Sequence, residues 1–167
     1  MKVRGMELPR VDCVLPARWL CDSQVAGPQV PTGRGGRYAA YNALAARNFP
    51  GSLKHLTSST AADWLFDRTS AYYHGYVRTG MREQLEAAFA AARFVRAHTR
   101  LEGPRAGSFQ LSGADLKYVY PRAMHLQYLL TGDEAARQAG VAMAAFWKAQ
   151  WAPEFRLDRP SGSPAVE

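Results

Sequence analysis

The 167-residue sequence has little of what marks a membrane-spanning, exported or metal-binding protein. No run approaches the roughly 18–20 consecutive apolar residues of a transmembrane helix, and the N-terminal stretch lacks the uninterrupted apolar core of a signal peptide. Cysteine is scarce: Cys13 and Cys21 lie eight residues apart, with no CxxC motif and no histidine nearby. These absences predict no membrane partner, a cytoplasmic location by default, two reduced thiols and no metal site.

Acidic residues are also few: the sequence has 14 Asp and Glu and 21 Lys and Arg, which gives a net charge of +7. This balance suits a polyanionic partner such as nucleic acid, an acidic membrane surface or an acidic polysaccharide; an Arg-rich surface without such a partner is the equal alternative. Nucleic acid is disfavoured, since no recognition helix or RNP-type aromatic pattern is visible. GxSxG, HExxH and P-loop motifs are absent too, and no cofactor is predicted.

The first part of the chain is rich in residues that interrupt regular structure. Four prolines fall within 1–36, which ends in the run PTGRGG, and such residues mark turns and loops. One short apolar stretch, at 11–16, has the composition of a strand. We therefore expect an irregular, Pro/Gly-rich edge segment, apart from that possible strand.

A helical domain is predicted over 37–152. Its first helix, at 37–49, carries apolar side chains at helical spacing and is expected to stop at Pro50, which a glycine follows. Residues 153–167 are polar and rich in proline and glycine, so a flexible tail is expected after the domain. Apolar residues make up 47% of the sequence, enough for one compact core.

Residues 61–99 resemble residues 113–151 when the two stretches are aligned at an offset of 52. Many of the identical positions are alanines, which are common in helices. The informative matches are the pairs that share another residue type: Asp63/Asp115, Tyr76/Tyr128, Thr79/Thr131, Gly80/Gly132 and Phe94/Phe146. These matches predict that one structural unit is repeated.

Each copy is predicted to be two helices joined by a tight turn. The expected fold is therefore all-α, with antiparallel helical hairpins in tandem at about 61–99 and 115–151. Gly80 and Gly132 stand where a helix C-terminus needs a residue with positive φ. Asp133 follows the second glycine as a candidate N-cap, whereas the first copy has a methionine there.

The two helices of a unit differ in how their apolar residues are distributed. The helix at 82–98 is amphipathic and is expected to expose one side to solvent. The helices at 64–77 and 117–130 carry aromatic residues nearly all round, which predicts inner helices that are covered on both sides. Pro121 either kinks the later of these helices or is its first residue.

Functional side chains are expected at one end of the hairpins, where the long loops 48–60 and 100–113 meet the starts of the inner helices. Charged and aromatic residues cluster there in the sequence. The candidates are Lys54, His55, Asp63, Asp67 and Arg68 in the first unit, Arg105 in the loop, and Asp115, Lys117, Tyr118, Tyr120 and Arg122 in the second unit. Helix N-termini would add partial positive charge for an acidic ligand.

Structural roles compete with these functional ones. Asp63 and Asp115 suit helix N-caps better than catalysis. Asp67 and Arg68 could equally pair with neighbouring residues across the hairpins. Side chains within the inner helices are expected to be core groups with tethered polar atoms: His74, His125, Tyr72, Tyr73, Tyr76, Tyr118, Tyr120 and Tyr128.

The stretches WLFDRTSAYYHGYVRTG and DLKYVYPRAMHLQYLLTGDE resemble hairpins of the (α/α) toroid, or six-hairpin, carbohydrate-active enzymes. This group includes polysaccharide lyases such as the exo-rhamnogalacturonan lyase-like enzymes. The resemblance covers about 60–151 and implies a sugar-binding funnel at the N-termini of the inner helices. Two hairpins cannot close a ring of six. The chain is then either a fragment of a longer enzyme or a short stack that assembles with copies of itself.

The lyase resemblance implies that an acidic polysaccharide or oligosaccharide is cleaved by β-elimination from a uronate. A Tyr or His would remove the proton α to the carboxylate, and Arg or Lys would neutralise the developing charge. The implied catalytic residues are His55, Tyr118, Tyr120, Arg68 and Lys117. The implied substrate-binding residues are Lys54, Asp63, Asp67, Asp115, Arg122 and Arg105.

Two other functions stay open at this point. A glycoside hydrolase would pair two carboxylates, for which Asp63, Asp67 and Asp115 are available. A non-catalytic helical-repeat module would use its loops and its basic face to bind a partner or to assemble. An unsaturated product that absorbs in the ultraviolet separates lysis from hydrolysis.

Overall fold

The computed structural model describes residues 2–3, 6–7, 13–34 and 36–151. Its α-helices are α1 (Ala17–Asp22), α2 (Ala39–Ser52), α3 (Arg68–Thr79), α4 (Arg82–Ala97), α5 (Pro121–Thr131) and α6 (Glu134–Trp151). Short 3₁₀ turns lie at Thr32–Arg34, Gly36–Tyr38, Leu53–His55, Ala61–Trp64, Gln110–Ser112 and Leu116–Tyr118. Strands in the described ranges are limited to β1 (Lys2–Val3) and β2 (Met6–Glu7), which pair antiparallel. The predicted all-α class is confirmed.

Helices α3 and α4 pack side by side, and so do α5 and α6. Trp64, just before α3, stacks on Phe94 near the end of α4 with ring centroids 4.4 Å apart. Trp147, near the end of α6, donates its indole N–H to the carbonyl oxygen of Val119, just before α5, at 2.6 Å. In each pair the start of one helix therefore lies beside the end of the other, so the two helices run antiparallel.

The two helix pairs turn in the same way. Gly80 and Gly132 have φ of 66° and 70°, the left-handed conformation predicted for them. Each glycine donates its N–H at 2.7 Å to the carbonyl oxygen of a tyrosine four residues earlier, Tyr76 or Tyr128. In both copies the hydroxyl of the preceding threonine accepts the N–H of the following residue at 3.1 Å. The sequence match at these positions is therefore a match of backbone geometry.

The residue after each glycine caps the next helix differently. The carboxylate of Asp133 accepts the N–H groups of Ala135 and Ala136 at 3.1 and 3.3 Å, which confirms the predicted N-cap. Met81 has the extended backbone of an N-cap, with φ −77° and ψ 127°, but makes no side-chain cap. A Met81→Ser variant should therefore gain about 0.5–1 kcal/mol in the free energy of unfolding.

Chemical denaturation measures this gain, and Asp133→Ala is the matched change of opposite sign. Asp133→Ala should lose about 1 kcal/mol, because two N–H groups at the start of α6 lose their acceptor. A Met81→Ser variant that is no more stable than the parent would show that the first turn needs no side-chain cap.

The tyrosines of α3 are core groups with tethered hydroxyls, as predicted. Tyr72, Tyr73 and Tyr76 are at most 5% exposed. The Tyr72 hydroxyl donates to the carbonyl oxygen of Ser52 at 3.1 Å, and that of Tyr73 donates to the side-chain oxygen of Gln127 in α5. These bonds tie α3 to α2 on one side and to α5 on the other.

Helix α4 buries one side and exposes the other, as predicted. Eight of its side chains are buried: Gln84, Leu85, Ala87, Ala88, Ala90, Ala91, Ala92 and Val95. The many alanines let α3, α5 and α6 all contact α4. Its exposed side is limited to a stripe that includes Arg82, Glu83 and Arg93.

The prediction that the inner helices are covered on both sides is wrong for the helix at 117–130, but not for the one at 64–77. Helix α3 is contacted by α1, α4 and α5, and Tyr72 bonds it to α2, so that Ala71 is its one exposed residue. One side of α5 is open, since Arg122, His125 and Leu129 are exposed. His125 was predicted to be a buried core histidine, and it is exposed because no other described element covers this side of α5.

Both of these helices also begin later than predicted, at Arg68 and Pro121. Before α3 the chain forms a 3₁₀ turn, then an extended residue, Leu65, and two left-handed residues. Before α5 it forms another 3₁₀ turn and an extended residue, Val119. Pro121 is thus the first residue of α5, where a missing N–H costs nothing, and not a kink within a longer helix.

The segment predicted to be irregular, 1–36, contains a core helix, so this prediction is wrong for Ala17–Asp22. In α1 Leu20 is fully buried, and the thiol of Cys21 donates to the carbonyl oxygen of Val77 at 3.4 Å. The apolar side chains of this short helix fill space against α3, a tertiary effect that composition does not report.

Other predictions for the two ends of the chain have separate outcomes. In the stretch 11–16 predicted as a strand, 11–12 lie outside the described residues and 13–16 form neither helix nor strand. The predicted tail at 153–167 also lies outside the described residues. Cys13 is exposed and no disulfide joins it to Cys21.

Helix α2 continues through Pro50 to Ser52, so the prediction that it stops at Pro50 is wrong. Pro50 lies in the last turn, where its missing N–H removes a single hydrogen bond, and the chain then runs on into the 3₁₀ turn Leu53–His55. None of the α2 side chains is buried. Phe49 meets the edge of the Tyr72 ring with centroids 6.1 Å apart, and Asn42 accepts a hydrogen bond from Arg78, so α2 touches α3 near both of its ends.

Candidate functional site

A cleft of about 820 Å³ separates α2 from α3. Its polar lining is cationic or neutral and includes Tyr41, Asn42, Arg68, His74, Arg78 and Gln84. None of the described residues that line the cleft is an aspartate or a glutamate. The cleft therefore presents positive charge and hydrogen-bond donors without a carboxylate to neutralise them.

The side of α3 that faces the cleft follows from residue spacing. Arg68, Ala71, Gly75 and Arg78 are three or four positions apart, so they lie on one face of the helix. The two small residues keep the floor of the cleft low between the two arginines. At Gly75 a Cβ atom would lie 2.7 Å from the amide carbon of Gln84 and overlap its oxygen. Glycine here leaves room for Gln84 to cross over α3.

The Gln84 side chain is a buried polar group, with 9% of the residue exposed. It reaches from α4 across Gly75 to the cleft. Its amide makes no hydrogen bond within the described part of the chain and is not among the fully enclosed polar groups that lack a partner, so it is accessible from the cleft. An amide has two donors and an oxygen acceptor to offer a ligand.

Arg78 is held in place by three groups, one from the segment before α2 and two from α2 itself. Its Nε donates to the carbonyl oxygen of Val30 at 3.1 Å, and one Nη donates to the side-chain oxygen of Asn42 in α2 at 2.6 Å. The guanidinium carbon lies 5.3 Å from the centre of the Tyr41 ring. A guanidinium has five N–H groups, so three remain after these two bonds.

His74 lines the same cleft and is half-buried. Burial, and then the positive charges of Arg122 and Arg78, lower the pKa of His74 below the 6.5 of a free imidazole. The unfolded chain therefore binds a proton at His74 more readily than the folded protein does. Folding stability from this group is present above pH 6.5 and is lost as the pH falls toward the lower folded pKa.

A His74→Gln variant should flatten this dependence. Urea denaturation of the parent at a series of pH values below 6.5 should give a falling free energy of unfolding, with a smaller fall in the variant. His125→Gln is the control, because it removes an exposed histidine and should leave the slope unchanged. Equal slopes for the parent and His74→Gln would contradict the lowered pKa.

A second cluster lies where α2 and α3 approach through their connecting turns. His55 Nδ1 is 2.9 Å from a carboxylate oxygen of Asp63, whose other oxygen accepts the Ser58 hydroxyl. The hydrogen bond from Ser58, with a further contribution from His55, lowers the pKa of Asp63. An ionised Asp63 keeps the His55 proton on Nδ1 and leaves Nε2 as a proton acceptor.

Arg68 joins this cluster to the cleft. Its Nε donates to the carbonyl oxygen of Asp63, while its side chain lines the cleft. Asp63 was predicted to cap the following helix, and this prediction is wrong. The chain leaves the helical path after the turn at Ala61–Trp64, so the N-cap of α3 falls four residues later, at Asp67.

Two consecutive left-handed residues precede α3. Phe66 and Asp67 have φ of 62° and 52°, which is costly for residues other than glycine. The Asp67 carboxylate accepts the Ser70 N–H at 3.1 Å, and the Phe66 N–H donates to the Tyr120 hydroxyl at 2.8 Å. Burial raises the pKa of Asp67, against the hydrogen bonds from Ser70 and the charge of Arg122.

The Tyr120 hydroxyl already makes two hydrogen bonds to backbone groups. It accepts the Phe66 N–H and donates to the carbonyl oxygen of Lys117, and burial raises its pKa. Lys117 pairs with Asp115 at 3.0 Å, lies 5.6 Å from the centre of the Tyr118 ring, and has a raised pKa because of Asp115. Asp115 caps the 3₁₀ turn Leu116–Tyr118 and not α5, so its predicted role as a cap of the inner helix is wrong.

The structure therefore brings together only part of the predicted site. His55, Asp63 and Arg68 form one network, and Asp67 meets Tyr120 through the Phe66 backbone. The remaining predicted residues lie elsewhere. Lys54 and Arg105 are exposed, and Arg122 donates to the carbonyl oxygen of Ala26 at 2.7 Å.

Sequence reasoning missed the cleft residues Arg78 and Gln84. The available signal was the spacing of Arg68, Ala71, Gly75 and Arg78, which puts small residues between two arginines on one helix face. It was hidden because that helix was expected to be covered on both sides.

No protein-family model matches the chain, and no curated protein or solved structure matches it either. None of the helices in the described ranges is long and apolar enough to cross a bilayer. Over the same ranges, no group of three or more His, Cys, Asp or Glu side chains could hold a metal ion. The likeness to toroid enzymes therefore stays a prediction.

Proposed function

We propose that this chain binds an acidic saccharide in the cleft between α2 and α3 and cleaves it by β-elimination next to a uronate. The observation that carries this proposal is the position of Arg68, which lines the cleft and also bonds to the backbone of Asp63. A substrate carboxylate at Arg68 would lie next to the pair formed by His55 and Asp63.

The chain's own groups can carry the reaction. His55 Nε2 takes the proton from the carbon α to the substrate carboxylate, and Asp63 stabilises the resulting imidazolium. The electron pair moves into the carboxylate, where the Arg68 guanidinium stabilises the added negative charge. The pair then returns to form a C=C bond as the β C–O bond breaks. The leaving oxygen takes up a proton from water, and the His55 imidazolium releases its proton to solvent.

His55 is the best base among the predicted candidates. The Tyr120 hydroxyl already bonds to two backbone groups, and burial opposes its ionisation. Lys117 has a raised pKa and so stays protonated near neutral pH. His55 is favoured by geometry instead, because its Nδ1 contacts Asp63 at 2.9 Å and its Nε2 makes no hydrogen bond within the described part of the chain.

Hydrolysis by paired carboxylates is less well supported. Asp63 is bonded to Ser58 and His55, and Asp115 to Lys117, and both have lowered pKa values. Only Asp67 has the raised pKa that a general acid needs, and its carboxylate is taken up as the N-cap of α3.

An assembly module is the second candidate, and the open side of α5 favours it. At the offset of 52, His125 and Leu129 of α5 correspond to Tyr73 and Val77 of α3, which are buried. A further unit could cover α5 as α5 covers α3. Arg122 lies on this side of α5, and Arg68 and Arg78 lie on the cleft side of α3, so electrostatic repulsion opposes docking of one copy on another.

Absorbance in the ultraviolet tests the proposal. The chain is incubated with polysaccharides that contain uronate and, as a control, with neutral polysaccharides. We expect the absorbance to increase with the uronate substrates and not with the neutral ones, because elimination leaves a double bond conjugated with the carboxylate. Binding without this product would favour the module, and new reducing ends without absorbance would favour hydrolysis.

A further inference from the structure

Arg78 lies at the opposite end of the cleft from Arg68. Arg78 is ten positions after Arg68, a separation of about 15 Å along α3 at 1.5 Å per residue. Ala71 and Gly75 form a low floor between the two arginines, and α2 forms the opposite wall. The cleft is therefore an elongated groove with a guanidinium at each end.

We propose that this groove binds a linear acidic oligosaccharide that carries one acid group at Arg68 and a second at Arg78. The chemical class of the ligand rests on the proposed function, whereas the need for two acid groups rests on the groove itself. A single acidic sugar could occupy only one of the two arginines.

The Arg78 end has the features of a built site. Its guanidinium is fixed by Val30 and Asn42 and keeps three N–H groups for a ligand. Gln84 brings its unpaired amide to the same stretch, because Gly75 and Arg78 are one helical turn apart. Donors that are already oriented bind an anion without a further loss of side-chain freedom.

The charges of the helices favour this occupant over another copy of the chain. The open side of α5 carries Arg122, so it would place positive charge against Arg68 and Arg78. A ligand with several acid groups meets no such repulsion. Carboxylate and sulfate groups both suit a guanidinium, so the ligand series must contain both.

Calorimetric titration with a uronate monosaccharide and a ladder of its oligomers tests the proposal. For the parent chain, affinity should rise with oligomer length until the ligand reaches Arg78. Arg78→Gln should lose at least about tenfold in affinity for the long oligomers and leave the monosaccharide unchanged. Gln84→Ala, which keeps both arginines, should show a smaller loss with the same dependence on length.

Arg93→Gln is the matched control, because Arg93 is an exposed arginine of α4 that does not line the cleft. A parallel ladder of sulfated oligomers shows which acid group is preferred. Affinity that does not depend on length, or an Arg78→Gln loss that is equal for monosaccharide and oligomer, would overturn the proposal. Circular dichroism checks that each variant is folded. If Arg78→Gln does not fold, the length dependence of the Gln84→Ala loss tests the proposal instead.

The groove proposal and the lyase proposal can fail independently of each other. Length-dependent binding without an unsaturated product would leave the two-arginine groove standing and remove the lyase chemistry. Turnover of uronate substrates, with no effect of Arg78→Gln on affinity at any oligomer length, would support the lyase chemistry and remove the two-arginine groove.

Discussion

A His55→Gln variant is expected to lower the rate of unsaturated product formation by about 10²–10⁴-fold, the usual contribution of a general base. Glutamine retains a polar group that can reach Asp63, so the local hydrogen bonding changes little, but it cannot accept the substrate proton. The measurement is the initial rate of ultraviolet absorbance at saturating uronate substrate, with binding measured separately by calorimetry.

Two further variants make this prediction sharper. His125→Gln removes an exposed histidine on the far side of α5 and should retain the parent rate. Asp63→Asn should reduce the rate less than His55→Gln, because it weakens the orientation of His55 without removing the base. A His55→Gln variant as fast as the parent would assign the proton transfer to another group.

Replacing Gly107 with alanine is expected to lower the free energy of unfolding by about 2–5 kcal/mol. Gly107 has φ of 90°, where a side chain adds roughly 1–2 kcal/mol of backbone strain. A Cβ there would also overlap the carbonyl oxygen of Ala142 in α6 and lie 2.7 Å from the Cβ of Phe146. Such overpacking adds about 1–3 kcal/mol, because backbone atoms cannot move aside easily.

The same loop contains a control for the backbone part of this cost. Gly103 has φ of 79°, and a Cβ there would meet no atom within 4 Å. Gly103→Ala should therefore lose only about 1–2 kcal/mol. Equal losses in the two variants, measured by urea denaturation, would show that the loop does not pack tightly against α6.

Local features of this fold could be predicted from the sequence. The turns at Gly80 and Gly132, and the cap at Asp133, depend on the conformation of a few consecutive residues, so the residue types are enough to identify them. The buried tyrosines of α3 were also predictable, because several aromatics on one helix need a core to cover them.

Features that depend on distant residues could not be predicted. The late start of α3 requires Phe66 and Asp67 in the left-handed conformation, and the group that holds Phe66 is the hydroxyl of Tyr120, 54 positions away. The exposure of His125 depends on which helices pack against α5, and the sequence of α5 alone does not predict those neighbours.

The candidate site divides in the same way. His55, Asp63 and Arg68 were predicted as functional residues, and they meet because they are close in sequence and the connecting turns are compact. Arg78 and Gln84 were not predicted as functional residues. They come from two different helices and share a groove only through the packing of α3 against α4.

Helix α2, which buries none of its side chains, should detach from α3 at a much lower free-energy cost than that of global unfolding. A ligand that needs both walls of the cleft binds only the molecules in which α2 is docked, and its apparent dissociation constant rises as that fraction falls. Substitutions that strengthen the contact between Phe49 and Tyr72 would therefore tighten binding by raising the population of the competent conformation.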